Sequence, residues 1–233
     1  MPVAHGTNMP SFGMESLVDI WPLFGLRIRT QRLELRAPTD ADFPALLALV
    51  DAGIHDPATM PFAVPWTDLP QLQRDRQAVQ YWWSTRSGFS VDSWRLEFAV
   101  FADGKVVGFQ GMGAVDFRRR RQVETGSWLG LAHQGRGFGK EMRAAIVAFA
   151  FDQLDAEWVI STAYPDNVAS NRVSLATGYE PDGINIVLRR GEPAVSQRYR
   201  LSRARWDDVR PDITVTVEGW TPACREMLGL TAG

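Results

Sequence analysis

Three glycines at alternating positions mark the stretch of this sequence that is best suited to bind phosphate: Gly135, Gly137 and Gly139. An apolar, strand-like run at residues 123–131 precedes them, and a helical pattern at residues 140–154 follows them. Glycines let the backbone turn tightly and bring bare N–H groups close to a ligand. The N-terminus of the following helix adds the positive end of its dipole. The pattern therefore predicts a phosphate-binding loop between a strand and a helix.

The spacing within this loop separates the known kinds of phosphate loop. A P-loop requires a glycine and a hydroxyl residue at the positions that Gln134 and Glu141 occupy here. A dinucleotide fold requires G-x-G-x-x-G after the first strand and an acidic residue closing the next strand, whereas Glu157 precedes its strand. A kinase glycine loop would be accompanied by further motifs that this sequence lacks. The pyrophosphate loop Q/R-x-x-G-x-G/A remains, with Gln134, Gly137 and Gly139 at its defining positions.

Two further blocks accompany the loop. Residues 30–36 read Thr-Gln-Arg-Leu-Glu-Leu-Arg, and residues 167–179 contain an N-x-x-S motif and end in Gly178-Tyr179. In this order, the three blocks resemble the RimJ/RimL-like branch of the GCN5-related N-acyltransferases, which acetylates ribosomal-protein N-termini and various small amines. The resemblance implies an α/β fold with a mixed, mostly antiparallel twisted sheet flanked by helices. It also implies that one parallel strand pair is splayed apart at the acyl-CoA site.

The resemblance implies a set of coenzyme-binding residues on both sides of that splayed pair. Backbone groups of the strand end are expected to bond the pantetheine amides, and N–H groups of the loop are expected to hold the pyrophosphate. Asn167 is expected to bond pantetheine, with Ser170 near the sulfur. The predicted coenzyme-binding residues are Trp128, Leu129, Gly130, Leu131, Gln134, Gly135, Arg136, Gly137, Phe138, Gly139, Lys140, Asn167 and Ser170.

The resemblance also assigns residues to the transfer of an acyl group to an amine. Glu124, in Glu-Thr-Gly-Ser-Trp-Leu, is the expected general base, and a solvent-facing strand residue is the alternative. Ser170 and Tyr164 compete as the proton donor to the thiolate, with a plain helix-start hydroxyl as the alternative for Ser170. Ser127 replaces the usual tyrosine, which predicts a roomier site. No covalent enzyme intermediate is expected, so Cys224 needs no catalytic role.

The sequence leaves the identity of the acyl donor and of the amine acceptor open. The acyl donor is acetyl-CoA or succinyl-CoA, because residues 21–24, 55–57 and 60–62 resemble a subgroup that includes a succinyltransferase. A carboxylate on the acyl chain would require an Arg, Lys or amide donor near the thioester. The acceptor is an amine-bearing small molecule or a protein N-terminus, and homo-oligomerisation is left open. A non-catalytic acyl-CoA-binding regulator or scaffold is the alternative function.

Composition narrows the class of protein. The 233 residues, 45% of them hydrophobic, suffice for one substantial core, and a single domain over residues 21–233 is expected after a flexible leader at residues 1–20. A C-terminal extension begins at about residue 206. The net charge of −2 argues against a general nucleic-acid binder. One cysteine, no metal-ligand cluster and no membrane-length apolar run predict a cytoplasmic protein without a metal site.

Local patterns predict most of the remaining elements. Asp103-Gly104 between two apolar runs predicts a hairpin with a type I′ turn. The proline-rich segment at residues 54–70 is interpreted either as an ordered loop that walls a pocket or as a surface connection. Four arginines at residues 118–121 predict a solvated turn, with a steering surface for an acidic acceptor as the alternative. Residues 213–217 predict a late strand.

Overall fold

A computed structural model describes residues 16–230 of the chain. Within that range, nine strands form one sheet. The strands are β1 (Arg27–Arg29), β2 (Glu34–Arg36), β3 (Ser93–Ala102), β4 (Lys105–Val115), β5 (Gln122–Leu129), β6 (Trp158–Ala163), β7 (Glu180–Arg189), β8 (Glu192–Ser202) and β9 (Thr216–Glu218).

Helices cover both faces of this sheet. They are α1 (Leu17–Ile20), α2 (Phe43–Asp51), α3 (Gln71–Ser87), α4 (Phe117–Arg120), α5 (Phe138–Asp152), α6 (Val168–Ala176), α7 (Arg203–Val209) and α8 (Pro222–Met227). Short 3₁₀ turns occur at Pro22–Gly25, Asp40–Asp42, Trp66–Asp68 and Leu131–His133. No helix in the described part of the chain is long and apolar enough to cross a membrane.

The strand order is β7-β8-β6-β5-β4-β3-β2-β1-β9. Every neighbouring pair is antiparallel except β5 and β6, which α5 connects as a strand-helix-strand crossover. A parallel pair needs such a crossover because its strands begin at the same edge of the sheet. The predicted α/β fold, with a mostly antiparallel sheet flanked by helices and one parallel pair, is confirmed.

The predicted central hairpin is also confirmed. Strands β3 and β4 pair along their length, and the turn residues Asp103 and Gly104 have φ angles of 48° and 73°. Two consecutive left-handed residues are the signature of a type I′ turn, whose twist matches that of the flanking strands. The hairpin therefore forms from local sequence alone, in the middle of the sheet.

Two apolar clusters lie on opposite faces of the sheet. Phe98 and Val100 of β3 belong to the cluster beneath α5, and Ala99 between them belongs to the cluster beneath α2 and α3. Alternate strand residues point to opposite faces, so β3 contributes to both cores. Helix α5 is apolar over most of its circumference and is buried accordingly.

The end of the chain packs onto the α5 side of the molecule. Strand β9 pairs with β1, slightly later than the predicted strand at residues 213–217. Trp206 of α7 and Cys224 of α8 are fully buried in the same cluster as α5. At the other end, residues 1–15 of the predicted leader at residues 1–20 lie outside the described residues, and the last residues of that leader form α1.

The four consecutive arginines form the one-turn helix α4 and its end rather than a plain turn. Arg118 pairs with Asp92, Arg119 with Asp116, and Arg121 with Asp155, and all of these side chains are at least partly solvent-exposed. Local aspartates thus neutralise much of this charge.

Candidate active site

The strands β5 and β6 separate just before the glycine loop. They pair only through residues 122–124 and 158–160, although β5 continues to Leu129 and β6 to Ala163. Beyond Glu124, the edge of β5 that faces β6 therefore has no strand partner. The predicted splayed parallel pair is confirmed, and it leaves an open slot through the sheet.

A cavity of about 1150 Å³ passes through this slot. It begins at the glycine loop, where Gly137 and Lys140 line it, and runs between Ser127 of β5 and Ser161 of β6. It ends on the face covered by α3, where Glu97 lines it. A volume above the usual range of small-ligand pockets suits a long, flexible ligand together with a second reactant.

The glycine loop has the geometry of an anion site. Gly135 and Gly137 have φ angles of 72° and 83°, values that residues other than glycine rarely adopt. Gly137 caps α5, whose first hydrogen bond runs from the Glu141 N–H to the Gly137 carbonyl. The N–H groups of residues 138–140 therefore have no acceptor within the helix and point out of its N-terminus, where an anion is stabilised.

Side chains around the loop hold it in place. The Gln134 amide donates to the carbonyls of Ile54 and Leu129, both at 3.0 Å. Phe138 is buried and lies between two guanidinium groups, with Arg32 4.9 Å and Arg136 5.0 Å from its ring centre. Gln134 and Phe138 thus fix the loop to the strand end and to the body of the protein.

The structure brings most of the predicted coenzyme-binding residues together. Those lining the cavity are Trp128, Leu129, Leu131, Gln134, Gly135, Gly137, Gly139, Lys140, Asn167 and Ser170. Gly130, Arg136 and Phe138 lie beside it, and the Gly130 N–H donates to the Val107 carbonyl at 3.1 Å. The N–H of Leu131 donates to the Gly53 carbonyl at 2.9 Å, so that amide is already engaged.

The N-terminus of α6 forms one wall of the slot. The Asn167 side chain caps the helix by accepting a hydrogen bond from the Ser170 N–H at 3.2 Å. The cap is thus Asn167, and the Ser170 hydroxyl has no hydrogen-bond partner among residues 16–230. Tyr164 is buried behind this wall beneath the Arg189 guanidinium, and its hydroxyl has no partner there either.

The two glutamates of interest differ in their surroundings. Glu124 is exposed, makes no hydrogen bond or ion pair within the described range, and is outside the cavity lining. Glu97 is buried, accepts hydrogen bonds from Tyr81 at 2.7 Å and Arg95 at 2.9 Å, and lines the cavity. Burial raises the pKa of the Glu97 carboxyl, although the charge of Arg95 and both hydrogen bonds act to lower it.

Sequence reasoning missed Glu97 and also Arg143. Arg143 is 2% exposed, and its guanidinium donates to Ser127 and Ser161 on the two sides of the slot, both at 3.1 Å. Each residue is a charge with apolar residues on both sides, Glu97 between Leu96 and Phe98 in β3, and Arg143 between Met142 and Ala144 in α5. A charged residue within an apolar stretch was the available signal, because charged residues are rarely buried unless they have a partner.

The segment at residues 54–70 forms an outer wall of the cavity. His55, Phe62 and Trp66 line the cavity, and Met60 is buried. The His55 ring is fixed by a 2.8 Å hydrogen bond between its Nε2 and the Thr67 hydroxyl. The interpretation of this segment as an ordered wall is confirmed, and the plain surface connection is excluded.

Comparison with known proteins gives a consistent result. The family model described as an acetyltransferase (GNAT) domain matches residues 32–180. The uncharacterized N-acetyltransferase YoaA of Bacillus subtilis (strain 168) is 23% identical over 180 residues, which cover 76% of this chain and 97% of YoaA.

Solved structures with the same fold include two that contain coenzyme A. RimL, a ribosomal L7/L12 α-N-protein acetyltransferase in complex with coenzyme A, has a TM-score of 0.60 at 19% identity, covering 74% of this chain and 94% of RimL. Mycobacterium smegmatis RimJ, in complex with CoA-disulfide, has a TM-score of 0.65 at 16% identity, covering 80% and 95%.

Proposed function

Because the chain belongs to the GNAT acetyltransferase family, we propose that it transfers a short acyl group from coenzyme A to an amine by direct attack. One observation carries this proposal: a single cavity joins the anion-binding loop, the slot between β5 and β6, and a buried carboxylate on the far face. Such a cavity can hold a thioester and an amine at the same time.

The coenzyme end of the cavity suits a diphosphate followed by a chain of amides. The free N–H groups at the start of α5 bind the pyrophosphate, and Lys140 adds a positive charge beside it. The pantetheine arm lies along the unpaired edge of β5. Asn167, whose Oδ1 is used for capping, offers its amide N–H groups to the arm from the opposite wall.

The acceptor end suits an amine. The Glu97 carboxylate attracts the ammonium form and then takes its proton, leaving a neutral nucleophile. The amine nitrogen attacks the thioester carbon, the C–N bond forms, and the C–S bond breaks. The nitrogen gives up its second proton as the amide forms, and the free hydroxyl of Ser170 relays a proton to the departing thiolate directly or through water, with Tyr164 as the second candidate.

The acceptor is an amine with an apolar neighbour, because Phe62, Trp66 and Trp128 surround the carboxylate end of the cavity. RimL is an α-N-protein acetyltransferase, so peptides with a free N-terminus are the first acceptors to test, followed by small amines. An α-amino group, with a pKa of about 8, loses its proton more easily than a lysine side chain at about 10.4. The donor is acetyl or succinyl.

The test is an acylation assay with purified protein. Acetyl-CoA and succinyl-CoA are each incubated with a panel of peptides and small amines, free thiol is followed in time, and products are identified by mass spectrometry. Thiol release that depends on an amine, with an acylated product of matching mass, supports the proposal. Tight binding of coenzyme A without turnover of any amine contradicts it and favours the non-catalytic regulator.

A further inference from the structure

Arg143 is a buried positive charge that has no acidic partner. Only 2% of the residue is exposed, and its guanidinium interacts with neutral hydroxyls only, those of Ser127, Ser161 and Tyr179, among the described residues. Its Nε–H is buried and has no acceptor. Burying a guanidinium without an anion is costly, and neutral hydroxyls compensate for only part of that cost.

Arg143 lies at the closed end of the slot, where β5 and β6 come together. The β5–β6 ladder closes at Glu124 and Ile160, and the guanidinium bridges the strands directly beyond that closure, at Ser127 and Ser161. The diphosphate binds at the N-terminus of α5, at the open end of the slot, so the acyl group, which is the part of the donor farthest from the diphosphate, lies toward the closed end where Arg143 bridges the strands. Arg143 itself lines the cavity.

The surroundings of Arg143 orient its guanidinium and leave room beside it. Ser127 and Ser161 are small, and the Tyr179 ring lies 5.9 Å from the guanidinium carbon. Tyr179 is in turn fixed by a 3.1 Å hydrogen bond between its hydroxyl and that of Thr125. The guanidinium is therefore held on one side by a ring and on two sides by hydroxyls, in a residue that lines the cavity.

We propose that Arg143 binds a carboxylate at the far end of the donor's acyl chain, so that the enzyme selects acyl-CoA donors derived from dicarboxylic acids. This inference rests on the proposed function. A planar guanidinium binds a carboxylate through charge-assisted hydrogen bonds, and a neutral acyl chain offers no such partner. Arg143 is thus a specificity-determining residue for the donor, and succinyl-CoA is a suitable probe of this chemistry.

The experiment compares succinyl-CoA with butyryl-CoA, which has the same carbon number and a methyl group in place of the carboxylate. With one amine acceptor, kcat/KM is measured for both donors and for acetyl-CoA, in the unaltered protein and in Arg143→Gln. We expect the unaltered protein to prefer succinyl-CoA over butyryl-CoA by about tenfold to hundredfold, and Arg143→Gln to lose that preference. Arg205→Gln, at an exposed arginine far from the cavity, is the matched control and keeps it.

Two results overturn the inference while leaving the proposed function intact. One is equal use of the two donors by the unaltered protein. The other is an equal loss for all three donors in Arg143→Gln, which would place the guanidinium at the thioester oxygen or in a structural role. No amine-dependent thiol release with any donor would instead contradict the proposed function. Should Arg143→Gln fail to fold, the affinities of the unaltered protein for succinyl-CoA and butyryl-CoA, measured by calorimetry, decide the question alone.

Discussion

At the scale of single residues, the acceptor end of the cavity depends on one carboxylate that is nearly removed from water. Oε1 of Glu97 receives the hydrogen bonds of Tyr81 and Arg95, and Oε2 lies against Gly111. A Cβ atom at Gly111 would be only 2.6 Å from Oε2, so the glycine makes room for the charge. The strands thus hold a carboxylate rigidly at the end of the cavity that is proposed for the amine.

Glu97 should control the pH dependence of turnover. A base acts only when ionised, and burial raises the pKa of this carboxyl above its ordinary value of 4.5, so kcat/KM should fall as the pH drops through the raised pKa. Glu97→Gln should lose this acidic limb and lower kcat by about 100-fold or more. Glu192→Gln, at an exposed glutamate outside the cavity, is the control. If Glu124→Gln shows the loss and Glu97→Gln does not, the base is Glu124.

The raised pKa of Glu97 also makes the free energy of unfolding depend on pH. Between 4.5 and the raised pKa, the folded state binds more protons at Glu97 than the unfolded state does, so the free energy of unfolding decreases as the pH rises through this window. Glu97→Gln removes that dependence. Thermal unfolding measured across the window should therefore show the variant gaining stability relative to the unaltered protein as the pH increases.

The glycine loop requires a residue without a side chain at position 137. Gly137 has a φ angle of 83°, and a Cβ there would lie 3.2 Å from the Arg32 guanidinium. Gly137→Ala should raise the dissociation constant of coenzyme A by about tenfold or more, because the N–H groups of residues 138–140 would no longer point at the diphosphate. Gly183→Ala is the control: its φ angle is 86° and its Cβ would meet nothing within 4 Å. Calorimetric titration should find a change only in the first variant.

At the scale of elements, the cap of α6 is also a proposed coenzyme-binding residue. The oxygen of Asn167 caps the helix, the residue lines the cavity, and its N–H groups are proposed to bond the pantetheine arm. The two roles can be separated because aspartate is as good a cap as asparagine but offers no N–H donor.

Asn167→Asp should therefore keep the thermal stability of the protein and weaken coenzyme A binding by about threefold to tenfold. Asn167→Ala should also lose about 1 kcal/mol of stability with the cap. Asn185→Asp, on the exposed face of β7, controls for the added charge. If Asn167→Asp binds coenzyme A as tightly as the unaltered protein, the amide has no contact with the arm.

Features that form within one element could be predicted from the sequence, whereas contacts between elements could not. The hairpin at Asp103-Gly104 and the glycine loop follow from neighbouring residues, and both were predictable. Glu97 and Arg143 acquire their roles from Tyr81 and Ser161, which lie 16 and 18 residues away on other elements. Periodicity describes which face a residue occupies, but not which partner the packed sheet brings to it.

At the scale of the whole molecule, distant parts of the chain complete the fold around the site. Beyond residue 205, the chain adds the edge strand β9 and buries Trp206 against Phe151, with ring centres 6.0 Å apart. The matched family domain ends at residue 180. The terminal segment thus packs against the C-terminal end of α5, the end away from the glycine loop.

The outer wall of the cavity is also joined across the chain. Arg189 donates to the Met60 carbonyl at 2.8 Å, and Arg190 pairs with Asp68 at 2.7 Å, so the hairpin of β7 and β8 fastens the segment at residues 54–70 over the acceptor end. These partners are 129 and 122 residues apart in sequence. The wall is therefore held by these contacts between distant parts of the chain as well as by its buried residues Ile54 and Met60.

Releasing one of these contacts should weaken acceptor binding without unfolding the protein. Arg190→Gln removes an exposed pair, which contributes little to stability, but it frees the wall that carries Phe62 and Trp66. We expect KM for the amine to rise several-fold while kcat stays within about twofold. Arg198→Gln is the matched control, because Arg198 pairs with Asp182 inside the same hairpin and does not contact the wall. Equal KM values for the two variants in steady-state assays would show that the ion pair does not hold the wall closed.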